Sequence, residues 1–150
     1  MSFKKVYLDA CCLSRLTDDQ SQRRIREEAE TVEHILALIH RGEIEMISSE
    51  VLEDEARRTP ILERRLEVET LLSFAALTIE VDAVVAQRAR ELNALGYGLF
   101  DALHLAAAEA ADADVLLSTD DRFLRRAARG LGNPGVAVQN PVSWIKEDKT

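Results

Sequence analysis

Apolar residues along this 150-residue chain switch repeatedly between a period near two and a period near 3.6, and each switch is punctuated by a turn or cap residue. Val6, Tyr7 and Leu8 form a first short strand ending at Asp9. Over residues 19–41 the apolar positions Ile25, Ala29, Val32, Leu36 and Ile39 step by four, three, four and three, which keeps them on one helical face. Gly42 stops that helix. Residues 43–47 alternate as a second strand, and Ser48 or Ser49 caps a helix running through Val51, Leu52 and Glu55 toward Arg58. Thr59-Pro60 predicts a cap followed by a first helical residue, opening a further helix to about Ser73. Residues 77–81 read as a third strand, after which Asp82 caps a helix that turns Val85, Ala89 and Leu92 inward and ends near Gly96. Tyr97-Gly98 is a loop. A helix rich in Ala then runs from Leu99 or Phe100 to about Ala111, its small side chains at Ala102, Ala106 and Ala110 permitting close packing on a sheet. Val115, Leu116 and Leu117 form an all-apolar strand of the kind buried on both faces. Ser118-Thr119-Asp120 leads into a helix ending before Gly130, residues 136–138 form a last strand, and Asn140-Pro141 opens a terminal helix bearing Trp144.

Strands alternating with helices predict an α/β fold: a parallel sheet with right-handed crossovers and helices on both faces. Residues 1–150 suit one domain with one core, without repeats or linkers. Nineteen Lys and Arg against 27 Asp and Glu give a net charge of -8, which argues against a generic basic coat for nucleic acid and against anionic membrane surfaces. Fifteen of the basic residues are Arg, and the four lysines (Lys4, Lys5, Lys146, Lys149) all lie at the chain ends. Arginine forks match phosphate oxygens, so local clusters can hold a polyanion even on an acidic protein. Adjacent Cys11 and Cys12 suit neither a mutual disulfide nor a metal-thiolate pair, and read as buried free thiols in a reducing cytosol. Asp9 interrupts the only leader-like stretch, and no segment reaches the ~18 unbroken apolar residues of a membrane helix. A cytoplasmic protein is expected, with no membrane partner.

Four acids lie where such a topology converges: Asp9 in VYLDACCL, Glu55 in SSEVLEDE, Asp101 in GLFDALHLAAA and Asp120 in VLLSTDDRF. Two of them directly follow short apolar runs, and open α/β sheets bind ligands outside the carboxyl ends of their strands. Two carboxylates about 6 Å apart repel by roughly 3 kcal/mol at an effective dielectric near 20. Protons or a cation must compensate. Oxygen-only ligands favour Mg²⁺ or Mn²⁺, whose retained waters can be oriented toward a phosphodiester.

In VYLDACCLSR, GLFDALHLAAAE and VLLSTDDRFLRRA, in that order and spacing, the chain resembles the PIN-domain nucleases, and among them the VapC-like toxins of toxin-antitoxin pairs. The resemblance spans nearly the whole chain. It implies a PIN-like domain with a five-stranded parallel sheet, Mg²⁺ or Mn²⁺ in an acidic cleft, cleavage of RNA to a 5′-phosphate and a 3′-hydroxyl, an antitoxin protein as partner, and a homodimer. Carried over by residue, Asp9 and Asp101 match metal ligands, and Asp120 matches the third acid of a Thr-x-Asp element in which Ser118 takes the Thr place. Asp121 is expected to pair with Arg125. The second acid belongs to the helix after the second strand: a count of six from Ser49 gives Glu55, and a count from Ser48 gives Asp54. Where the family often has Ser or Thr and then Asn after its first Asp, this chain has Ala10 and Cys11. A hydrogen-bonding group is missing there, unless Ser14 supplies it.

Each of these residues also has a purely structural reading. Asp9 can cap a turn, Asp101 can offset a helix dipole, and Glu55 with its acidic neighbours can form a solvated face. His104, one turn after Asp101, invites an acid-base role, but a His at the edge of a packed Ala-rich helix more simply serves structure. His34 and His40 lack metal-ligand spacing. The clusters Arg122, Arg125, Arg126, Arg129 and Arg57, Arg58, Arg64, Arg65 either pair with the abundant acids or bind RNA phosphates. Arg15, just behind Asp9, is the expected phosphate contact at the cleft, with Ser118 also assigned to substrate. The sequence thus reads as a metal-dependent endoribonuclease; its rival is a catalytically weakened module of the same fold that docks RNA or a partner protein. A phosphoryl-accepting Asp9 would need a Lys near a strand end, and none is available.

Overall fold

A computed structural model describes residues 4–147. Five parallel strands form one sheet: β1 (Lys4–Leu8), β2 (Ile44–Ser49), β3 (Leu77–Ile79), β4 (Val115–Leu117) and β5 (Ala137–Gln139), in the order β3-β2-β1-β4-β5. The central strands are the most apolar. Val6, Tyr7 and Leu8 are consecutive and fully buried, as are Leu116 and Leu117, so both faces of the sheet are covered there. The edge strands β3 and β5 have three residues each and are partly solvated, a short edge being a poor template for pairing with another chain.

Eight helices connect these strands among the described residues: α1 (Ala10–Ser14), α2 (Arg23–His40), α3 (Glu50–Arg57), α4 (Leu62–Leu72), α5 (Ala83–Ala94), α6 (Leu99–Ala110), α7 (Asp121–Ala128) and α8 (Pro141–Glu147). None of the described helices is long and apolar enough to cross a membrane. The chain leaves β1 toward β2 and β3 on one side, then returns to place β4 on the other. The order therefore reverses at β1, and the crevice beyond the carboxyl ends of β1 and β4 is the topological switch point. Registers Val6↔Val115 and Leu8↔Leu117 level these two strands, so Asp9 and Ser118 emerge side by side. The Asp9 amide continues the ladder to the Leu117 carbonyl at 3.1 Å.

Several boundaries differ from those that patterning predicts. Residue 10 starts a short helix that the sequence reading did not anticipate, with Asp9 as its cap. α2 begins at Arg23, four residues after its expected start. The Gln20 amide donates to the Arg15 and Asp18 carbonyls and ties residues 15–20 into a loop instead. Thr59-Pro60 does not open α4. The Thr59 hydroxyl donates back to the Glu55 carbonyl and finishes α3, and α4 starts at Leu62 without a side-chain cap. β3 stops at Ile79, and β5 lies one residue later than expected. Gly42, with φ +76°, ends α2 as anticipated.

Candidate active site at the switch point

Asp9, Ala10, Cys11, Glu55, Phe100, Asp101, His104 and Asp120 line one pocket of about 150 Å³ at this crevice. Each acid arrives by a different element. Asp9 caps α1 from the end of β1, its Oδ1 accepting from the Cys12 amide at 3.2 Å and the Cys11 thiol at 2.7 Å, with the Ser118 side chain a further hydrogen-bonding neighbour of the carboxyl. Asp120 caps α7, with Oδ1 accepting from the Arg122 and Phe123 amides. Asp101 sits in the first turn of α6, and its carboxylate makes no hydrogen bond at all. Capping and pocket lining coexist: for Asp9 and Asp120 one oxygen serves the helix while the side chain lines the pocket.

Glu55, rather than Asp54, reaches the pocket; Asp54 turns outward to Arg57 and Arg58. The Ser49 hydroxyl caps α3 by accepting from Leu52, so the count from Ser49 is the one the structure follows. Glu55 Oε1 is bonded to His104 Nε2, and behind it lies a buried chain in which His104 Nδ1 meets the Tyr7 hydroxyl at 2.6 Å and that hydroxyl meets Ser49 Oγ at 2.7 Å. Burial pushes the Tyr7 hydroxyl well above its usual range, so it keeps its proton. With Ser49 donating to Tyr7 and Tyr7 donating to Nδ1, Nε2–H is left to donate to Glu55. His104 is thus not an idle core residue: it ties Glu55 to Tyr7 at the wall of the pocket. The signal for this chain in the sequence is weak: a Tyr inside a buried strand needs a hydroxyl partner.

Burial raises the Asp9 carboxyl well above the carboxylate range, and the adjoining Cys11 adds to the effect. Asp101 is raised to about 6, again mainly by desolvation, with Asp120 and Asp9 contributing repulsion. An anionic pocket that resists its own ionisation is a donor set suited to a cation. Asp9, Cys11 and Cys12 also bring ligand atoms within 4.8 Å of one another. Cys12 is fully buried and spends its thiol on the Leu117 carbonyl, whereas Cys11 is only partly buried and faces the pocket. The sequence reading set both aside as buried thiols. Cys11 instead occupies the place of the hydrogen-bonding group thought missing, and its position in the first turn beyond a capping Asp was the clue. Ser14 does not line the pocket.

Three further expectations are corrected. Arg15 does not line the pocket: its guanidinium is held by Glu28 at 2.8 Å and Asp18 at 2.7 Å, because buried Glu28 requires cationic partners. Ser118 is fully buried, and its Oγ accepts from the Asp120 amide, so it shapes the loop and offers no surface to a substrate. Asp121 pairs with Arg24 at 2.7 Å, linking α7 to α2, and not with Arg125.

Comparison with curated proteins finds no match. Among solved structures, VapC20 of Mycobacterium tuberculosis, described as a Sarcin-Ricin loop cleaving toxin, superposes with a TM-score of 0.58 at 15% identity, covering 84% of this chain and 95% of its own. DNA-bound VapBC from Salmonella typhimurium gives 0.56 at 19% identity over 93% and 99% of the two chains. VapBC2 from Rickettsia felis, bound to a promoter DNA fragment, gives 0.55 at 14% identity over 90% and 98%. At these identities the likeness is one of fold. The sequence profile of the PIN domain, by contrast, matches residues 6–129, a span that begins in β1, ends just past α7 and includes all four pocket acids, and by that match the chain belongs to the PIN domain family.

Proposed function

We propose that this protein is a Mg²⁺- or Mn²⁺-dependent endoribonuclease, the toxin of a toxin-antitoxin pair, acting in the cytoplasm. The observation that carries this reading is the convergence of Asp9, Glu55, Asp101 and Asp120 from four separate segments on one small pocket. Such a donor set suits a hard divalent cation, and the raised Asp9 and Asp101 carboxyls support the fit. The ion, when bound, supplies an activated water and neutralises charge on the scissile phosphate. The chain's own groups do the rest. Asp9 and Asp101 present their carboxyls to the pocket, Glu55 is oriented by His104, and Asp120 is fixed by the first turn of α7. An empty cleft of this charge repels RNA, so substrate and cation are expected to bind together.

The likeness to VapBC structures supports a small antitoxin partner, and the same likeness is the basis for inferring a homodimer. The chemistry is tested by purified Asp9→Asn and Asp101→Asn variants, shown to be folded by circular dichroism. Both are expected to lose at least a hundredfold in Mn²⁺-dependent RNA cleavage, the scale on which loss of one transition-state electrostatic contact is felt. Cleavage at the parental rate refutes the assignment, and RNA retention without any metal-stimulated turnover by the parent favours the binding module.

A further inference from the structure

We infer that the outward face of α7 is the track on which the RNA backbone lies as it enters the acid pocket, an inference that rests on the ribonuclease reading above. In a chain of net charge -8, arginines rarely lack an acidic neighbour. Among the described residues, eleven of the fifteen guanidinium groups hold an ion pair or hydrogen bond. The four that hold neither are Arg122, Arg125, Arg126 and Arg129, and together they line one surface depression. Their spacing of i, i+3, i+4 and i+7 places them within an arc of about 100° on the helix, over a length of about 10 Å. Phe123, on another side of the same helix, is fully buried and anchors it to the core.

Mutual repulsion works against this arrangement. Like charges three and four residues apart destabilise a helix, and Arg122 with Arg125, Arg122 with Arg126, Arg125 with Arg129 and Arg126 with Arg129 are all pairs of that kind. The dipole favours basic residues in the last turn but opposes Arg122 in the first. The face therefore conflicts with local rules, which is the usual mark of a surface kept for a ligand. Its position identifies the ligand. α7 is capped by Asp120 of the pocket, and the positive charge of Arg126 acts on Asp101. A polyanion held along α7 is delivered to the acids and their cation. Planar guanidinium forks suit successive phosphates and read no sequence.

The test compares single-stranded RNA binding by the full chain and by R122A/R125A/R129A, both in an Asp9→Asn background that keeps the strand intact, with salt varied from about 50 to 200 mM. Each phosphate contact on a single strand contributes about 0.7 to the slope of log affinity against log salt, so the alanine variant is expected to lose about 2 from that slope and at least tenfold in affinity. The corresponding triple Arg→Lys variant retains the slope. Because the removed charges repel one another, the alanine variant melts no lower than its parent, which separates lost binding from lost folding. Unchanged slope and affinity overturn the inference, as does unchanged RNA binding with loss of binding to polyglutamate, which would assign the face to an acidic protein. With Asp9 restored, cleavage by the parent and an unchanged KM in the alanine variant remove this inference alone, whereas no metal-dependent cleavage by the parent removes the underlying reading too.

Discussion

Asp101 shows how a single carboxyl reports the state of the pocket. Its folded value of about 6 lies above the unfolded 3.8 because desolvation and the neighbouring Asp120 and Asp9 oppose ionisation. The folded chain therefore binds the proton more tightly, and the stability this group contributes below pH 3.8 is lost as pH rises toward about 6. Asn at this position cannot ionise. Without divalent cations, Asp101→Asn and the parent are expected to melt alike near the acid end of that window, with the variant the more stable above it. A difference in melting temperature that stays constant across the window, followed by scanning fluorimetry, would show that the acids are not crowded. Asp9, Asp101 and Asp120 were legible as neighbours in one crevice because each sits at a recognisable strand end or helix start. The sequence reading misplaced Arg15 because a charge's partner depends on tertiary neighbours: Glu28, in the second turn of α2, is buried and claims it.

At the scale of elements, α3 and α6 meet β1 through a line of polar atoms that patterning alone does not disclose. Ser49, Tyr7 and His104 lie on three elements, and their hydrogen bonds form one continuous chain ending at Glu55. A carboxylate held this way keeps its free oxygen aimed at the cleft, and outer groups of this kind typically contribute 10- to 100-fold in metal affinity. Tyr7→Phe keeps the ring and removes the donor to Nδ1. It is expected to cost about 1–3 kcal/mol of stability, the usual penalty for an unsatisfied buried group. Mn²⁺ binding, measured by electron paramagnetic resonance on the folded variant, is expected to weaken about tenfold. Affinity equal to the parent's would reduce the chain to a packing feature. Apart from the short α1, element existence was legible from periodicity, whereas the starts of α2 and α4 were not. Thr59 shows why: its hydroxyl can close the helix behind it as readily as cap the one ahead, and only the neighbouring carbonyl decides.

Across the whole molecule, alternation of strand and helix gave the parallel sheet but not its order, and the order is what creates the crevice. Placing β4 beside β1 gathers residues separated by about a hundred positions into one pocket, next to a helix face whose four arginines hold no ion pair among the described residues. Such a pocket opposes folding when empty and favours it when filled, because a cation bound only by the native chain adds RT ln(1 + [L]/Kd) to stability. At a hundredfold excess over Kd that is about 2.7 kcal/mol. For a chain of this length it corresponds to a rise in Tm of about 5–10 °C. Millimolar Mn²⁺ is expected to produce a rise on that scale in the parent and little or none in Asp9→Asn or Asp101→Asn. The three proteins share their surface apart from one carboxylate, so nonspecific effects of the ion cancel in the comparison. Equal rises in all three would place the cation elsewhere, and no rise in the parent would mean that the converging acids hold protons instead of a metal.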